Sequence, residues 1–223
     1  MHIGLIGGIG PAATEFYYRG LVRAQAAGDF RLDLTIVHAD VGTLLRNLLA
    51  GETRKQADIF ADLIGRLAGA GAEIAAITAL AGHFCLEDLI PLSPLRVESA
   101  IAALDAHLND TGYSRVGLLG TAAVMRSKLY GGIGGTEIVV PAGDELDAVH
   151  EAYAEMAGAG KVSEERRAFF FDIGSRLCSE QGAEAVILGG TDLFLAFGNR
   201  DCGFPTIDAA QVHIDRLAAL ASR

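Results

Sequence analysis

Short continuous apolar runs, each stopping at a glycine or a polar turn, alternate along this chain with longer segments whose apolar residues recur at helical spacing. Residues 3–6, 34–37, 73–77, 115–119, 137–140 and 185–188 have the length and β-branched content of buried strands. A helix is expected from about Ala12. A second covers 54–70, where Ile59, Phe60, Leu63, Ile64 and Leu67 fall on one face, and a third covers 163–180. Strands that are apolar on both faces and alternate with helices predict an α/β fold, a parallel sheet flanked by helices on each side. Ligands of such sheets bind outside the carboxyl ends of the strands. The turns after Ile6, Ile77, Leu119 and Leu188 are therefore the places to look for chemistry.

The pattern repeats. Ile3-Gly4-Leu5-Ile6-Gly7-Gly8 returns as Val116-Gly117-Leu118-Leu119-Gly120-Thr121, an offset of 113 residues. Gly71-Ala72-Glu73-Ile74-Ala75-Ala76-Ile77 returns as Gly182-Ala183-Glu184-Ala185-Val186-Ile187-Leu188, an offset of 111. Two segments recurring in the same order at nearly one spacing predict two similar lobes, each a parallel sheet flanked by helices. If the lobes face each other, a ligand cleft lies between them, with positions 79 and 190 opposed across it.

Composition narrows the classes. Of the 223 residues 51% are apolar, enough for a full core, and the 28 glycines fit many tight βα turns. A formal charge of −10 without a Lys/Arg run speaks against nucleic acid. It does not exclude a small anion held in a local site. Cys85, Cys178 and Cys202 are odd in number and fit no metal motif, so no metal is expected and a reducing cytoplasm is the expected compartment. The start Met1-His2-Ile3-Gly4 lacks the basic n-region of a signal peptide, and no apolar run has the ~18–20 residues that span a bilayer. No membrane partner is expected.

Three motifs carry a resemblance. Gly4-Leu5-Ile6-Gly7-Gly8-Ile9-Gly10-Pro11-Ala12-Ala13-Thr14 is close to G-L-[IL]-G-G-M-G-P-x-A-T. Gly117-Leu118-Leu119-Gly120-Thr121 is similar to the start of a second lobe, and Phe204-Pro205-Thr206-Ile207-Asp208 with His213 to a closing P-x-x-D-x-x-x-x-H. Together, nearly end to end, they resemble the PLP-independent aspartate/glutamate racemases. The resemblance implies lobes of 1–97 plus 207–223 and 98–206, no cofactor, and a homodimer. It also implies a cleft for a small amino acid or carboxylate-like ligand. In that family one cysteine removes the α-proton and a second returns a proton from the other face, since inversion needs groups on both sides.

The chain departs from the pattern where the chemistry sits. The first-cysteine motif, C-N-T-A-H, reads Ala79-Leu80-Ala81-Gly82-His83; the second, G-C-T-[ED], reads Gly189-Gly190-Thr191-Asp192. Neither Ala79 nor Gly190 can exchange a proton. Each acid–base group contributes ~10²–10⁴-fold, so the standard reaction is not expected. The substrate-holding Asn and Thr are replaced by Leu80 and Ala81. A second-lobe lysine matches Ala157, with Lys161 one turn on.

His83 is the best remaining titratable candidate, as an anion ligand or base, against a role holding its loop. Gly8, Ile9, Arg46, Leu80, Ala81, His83, Thr121, Thr191 and Asp192 are the candidate ligand-binding positions. Thr121, Thr191 and Asp192 lie at helix starts, where capping is the competing role. Arg46 could equally be a solvated helix arginine. Thr78, Cys85 and Cys178 are expected to pack, Cys202 to sit in a loop, and Asp208 and His213 to be structural. Tyr17-Tyr18 is expected to pack and Glu164-Glu165-Arg166-Arg167 to form a solvated face. Three functions compete: a superfamily enzyme with altered acid–base residues, in the manner of decarboxylases, hydantoin racemases or cis–trans isomerases; a catalytically inactive ligand-binding or sensing homologue; and a Rossmann-type nucleotide binder. The last is disfavoured because Gly4, Gly7, Gly8 and Gly10 lack the G-x-G-x-x-G spacing.

Overall fold

The computed structural model describes residues 1–28, 30–198 and 200–222. They form two compact units: Met1–Ala100 with His213 onward, and Ile101–Val212.

The first unit begins with β1 (His2–Gly7), whose residues from Ile3 on are all buried. It continues through α1 (Pro11–Ala27), β2 (Asp33–His38), α2 (Val41–Leu49), α3 (Thr53–Gly69), β3 (Ile74–Ile77), a 3-10 turn at Leu80–Cys85, α4 (Leu86–Leu89) and β4 (Arg96–Glu98). The sheet order is β2-β1-β3-β4 and every pairing is parallel. The periodic residues of α3 bury Phe60, Leu63, Ile64 and Leu67 in a core with Ile6, Leu44, Ala75 and Ile77.

The second unit runs α5 (Ala100–Thr111), β5 (Arg115–Leu119), α6 (Ala122–Arg126), β6 (Glu137–Val139), α7 (Asp144–Ala159), α8 (Glu164–Ser179), β7 (Ala185–Leu188), a 3-10 turn at Thr191–Leu195 and β8 (Thr206–Asp208). Its order is β6-β5-β7-β8, again all parallel. The two sheets are thus one topology built twice, which is the physical content of the sequence repeat. Helix α7 buries Leu146, Val149, Ala152 and Met156 and carries Asp144, Glu145 and Asp147 in its first turn, where the helix dipole favours negative charge. The Ser163 hydroxyl caps α8 by accepting from the Arg166 amide at 3.1 Å.

Helix α9 (Ala209–Ala221) leaves the second unit and enters the first. Asp208 caps it, its carboxylate accepting from the Ala210 and Gln211 amides at 2.9 and 3.1 Å. His213 then pins it: the Tyr17 hydroxyl donates to Nδ1 at 2.9 Å, and Nε2–H donates to the Glu98 carbonyl at 3.1 Å. The buried Glu98 carboxylate pairs with Arg216 at 2.7 Å and Arg96 at 2.6 Å.

The structure differs from the sequence reading at several points. The boundary at 207 cuts through β8, whose pairing with β7 keeps Ile207 and Asp208 on the second sheet. The chain rejoins the first unit only at His213. The other expected boundary, between 97 and 98, falls inside β4, and the compact units divide after Ala100. Residues 29, 199 and 223 of the expected lobes lie outside the described residues. Tyr17 packs at 2% exposure but Tyr18, next along α1, is 51% exposed, because consecutive helix residues point about 100° apart. Arg167 is not on a solvated face. Its side chain is mostly buried and its guanidinium donates to the Leu195 and Ala196 carbonyls, closing the chain after the second 3-10 turn.

Candidate functional site

In each sheet the strand order reverses beside the first strand, at β1/β3 and at β5/β7. Such switch points leave a crevice at the carboxyl ends of the strands. The residues there are Gly7-Gly8 and Thr78-Ala79 in the first unit, and Gly120-Thr121 and Gly189-Gly190 in the second.

The first switch point is lined mostly by buried apolar residues. Gly8 has φ +87, and an added Cβ would meet the His38 ring at 2.4 Å and the Ala39 carbonyl at 2.6 Å, so only glycine fits. Its amide already donates to the Thr14 hydroxyl at 2.9 Å. Ile9 and Ala79 are buried members of the core, and Leu80 is 5% exposed. Ala81 is partly buried. The Thr78 hydroxyl is fully buried and donates to the Ile6 carbonyl at 3.1 Å. Cys85 is also buried, its thiol directed at the Gly82 carbonyl, and burial pushes its pKa up to about 12.

His83 has no ring nitrogen to spare. Nδ1–H donates to the Ala79 carbonyl and Nε2 accepts from the Ala100 amide, both at 3.1 Å. Burial pushes its pKa down to about 4, so the ring is neutral at pH 7. It ties the turn after β3 to Ala100 within the first unit, and the reading of His83 as an anion ligand or base loses its geometric basis.

Arg46, on α2, is an exposed cation. It donates to the Thr43 hydroxyl at 2.8 Å, and Thr43 donates to Asp40 at 2.6 Å. Asp40 caps α2 just past β2, and its pKa is lowered by the Thr43 hydrogen bonds and by the charge of Arg46. A helix side chain is thereby folded back toward the carboxyl end of the sheet.

The second switch point differs. Thr121 caps α6, its hydroxyl accepting from the Val124 amide at 3.4 Å, and Thr191 is buried at 5% exposure. Gly190 has φ −132, which any residue adopts, yet it has no room for a side chain. An added Cβ would lie 2.4 Å from Cε2, 2.7 Å from Cζ and 3.0 Å from the hydroxyl oxygen of Tyr153 on α7. The tyrosine hydroxyl donates to Asp192 Oδ2 at 3.0 Å. Asp192 is 4% exposed, and its Oδ1 has no hydrogen-bond partner among the described residues. Burial raises the Asp192 pKa against the lowering by Tyr153; burial and then the Asp192 charge push Tyr153 well above its ordinary value.

Residues 6–217 match the family model of the Asp/Glu/hydantoin racemases. The chain belongs to that family. An aspartate racemase homologue from Pyrococcus horikoshii is 26% identical with a TM-score of 0.83, over 100% of this chain and 99% of that one. A putative Asp/Glu racemase from Yersinia pestis is 26% identical with a TM-score of 0.86, over 100% of both chains. A Francisella tularensis glutamate racemase in complex with D-glutamate shares the fold at 15% identity and a TM-score of 0.69, over 98% of this chain and 80% of that one.

Tyr153 is the residue of this racemase-family site that sequence reasoning missed. A glycine standing where a larger residue is expected was the available signal, because close-packed interiors fill such space from elsewhere. Among the described residues no set of three or more His, Cys, Asp or Glu gathers as a metal site, and no helix is long and apolar enough to cross a membrane. Cys178 and Cys202 are partly buried, and Cys202 is directed at the Phe204 carbonyl.

Proposed function

We propose that this racemase-family chain has given up two-thiol proton exchange and binds a small amino acid or carboxylate-like ligand at the strand ends. The observation that carries the reading is the pair of lost side chains. Ala79 is a core methyl, and the side-chain space of Gly190 is filled by the Tyr153 ring. Both stand where the family's motifs have cysteine. The Cys85 thiol, in the turn after β3, is buried and held protonated. The chain works without PLP or another cofactor, in the cytoplasm, and as a homodimer; sedimentation of the purified protein at micromolar concentration checks the last.

Proton exchange is the direct test. L- and D-aspartate, glutamate and alanine in D₂O should show no α-proton exchange above buffer by NMR. A second reading, an enzyme with altered acid–base chemistry, draws on the Tyr153 hydroxyl, the protonatable group that sits at Gly190. Exchange that disappears in Tyr153→Phe would replace the first reading with the second.

Arg46 supplies the positive charge for a carboxylate. A thermal-shift screen of small acids and amino acids finds the ligand, since a ligand at 100 times its Kd adds about 2.7 kcal/mol of stability. Arg46→Ala should weaken carboxylate binding by ~10-fold or more while leaving the unliganded melting temperature nearly unchanged, because the side chain is exposed.

A further inference from the structure

Two thiols of the second unit come together at the amino end of its sheet, away from the turns that follow the strands. Helix α8 leads back to the start of β7, and Cys178 stands in its last turn, where its carbonyl accepts from the Gly182 amide at 3.2 Å. Strand β8 starts opposite Val186, near the start of β7, and Cys202 lies four residues before it. Parallel pairing thus carries both cysteines to the same end of the sheet.

The segment before β8 also packs on α8. Phe171, Gly174 and Cys178 recur at i, i+3 and i+7, on one face of the helix. The Phe197 ring centre lies 5.1 Å from that of Phe171 and 6.4 Å from that of Phe204. An added Cβ at Gly174 would run into the Phe204 ring, so the segment sits on bare helix backbone one turn before Cys178. The two sulfurs are within electrostatic reach of each other: burial, and then the charge of Cys202, raise the Cys178 pKa. Both thiols are free and only partly buried, whereas Cys85 is buried. Gly203, between Cys202 and Phe204, has φ +84 and open space around it, which leaves the segment room to turn Cys202 toward the helix. The turn gives up the contact of the Cys202 thiol with the Phe204 carbonyl.

We infer that Cys178 and Cys202 form a reversible disulfide, a redox-sensitive clasp between α8 and the segment that enters β8. The oxidant is a small disulfide of the glutathione type. One cysteine thiolate attacks a sulfur of the small disulfide and expels one small thiolate; the other cysteine thiolate attacks the resulting mixed disulfide and expels the second. Each expelled thiolate takes up the proton its attacker lost. Two cysteine thiols are thereby oxidised by two electrons, and one small disulfide is reduced to two thiols. The bridge closes a loop that contains β7, Gly190 and the 3-10 turn at Thr191–Leu195, and it restricts the unfolded chain. In a reducing compartment the clasp stands open; intracellular bridges of this transient kind are typical of redox sensing.

Full-length protein in excess oxidised glutathione tests the inference. Trypsin cuts after Arg176, Arg200 and Arg216, so the bridge joins peptide 177–200 to peptide 201–216 when reductant is left out. That linked pair should appear, within one chain on a non-reducing gel. The melting temperature should rise by ~5 °C or more and return with dithiothreitol. Cys178→Ser and Cys202→Ser should each abolish the rise. Separate glutathione adducts on the two cysteines, a bridge to Cys85, a bridge between chains, or thiols that stay free would overturn the inference. A bridge that forms without moving the melting temperature would overturn its role as a clasp. The wild-type peptide map decides the matter even if a serine variant fails to fold.

Discussion

Gly190→Cys should destabilise the protein and restore no proton transfer. The first atom of the new side chain would fall 2.4 Å from Tyr153 Cε2, closer than packed carbons approach. The backbone at 190 accepts any residue, so the ring is the whole obstacle. Moving it breaks the 3.0 Å bond to Asp192, whose other oxygen is already unpaired. Overpacking costs about 1–3 kcal/mol and an unpaired buried charge adds about as much. For a chain of this size each kcal/mol is about 2–4 °C in melting temperature. Tyr153→Phe should not relieve the clash, because Cε2 and Cζ remain; Tyr153→Ala should, making the double variant more stable than Gly190→Cys alone. Ala79→Cys with Gly190→Cys should leave α-proton exchange at background. Recovery requires Leu80 and Ala81 to be changed to the family's Asn and Thr as well. A Gly190→Cys protein that melts with wild type would show that the ring yields freely and would remove Tyr153 from the account of the site.

Acid should unfold the first unit earlier than its carboxylates alone require. His83 and His213 are buried and neutral, each with both nitrogens engaged, and their pKa values are pushed down by burial to about 4 and about 3. Unfolded histidine titrates near 6.5. Below that pH the unfolded chain binds protons that the fold refuses, so the stabilising contribution is complete above about pH 6.5 and is lost as pH falls toward 4 and then 3. Each histidine adds a slope of up to about 1.4 kcal/mol per pH unit. Chemical denaturation between pH 6.5 and 5 separates this loss from carboxylate protonation, which begins lower. His83→Gln and His213→Gln should each remove up to half of the slope in that window. An unchanged slope in both variants would mean that other groups carry the acid sensitivity.

The strands bearing the sheet centres were legible because continuous apolar runs over parallel strands leave a strong pattern, and 115–119 and 185–188 were read to the residue. The three-residue edge strands Arg96–Glu98 and Thr206–Asp208 were not, since each makes sense only against its neighbour in the sheet. Helix α7 was missed although Leu146, Val149 and Met156 mark its face, because its alanines and acidic residues dilute the apolar stripe. That omission hid Tyr153. The site's outline came from motif positions, yet its content did not. Whether His83 faced a ligand or its own loop depended on the Ala79 carbonyl and the Ala100 amide, backbone groups that no side-chain pattern announces.

Helix α9 gives the chain an order of assembly. Residues 213–222 follow all the strands of the described residues in sequence, yet His213 and Arg216 supply the partners of Tyr17 and Glu98. The contiguous stretch 101–212 holds a whole sheet of its own, whereas the half begun first needs the later helix α9, a reversal of the usual vectorial sequence. A chain truncated after residue 212 should resist protease in its later portion and be cut in its earlier one.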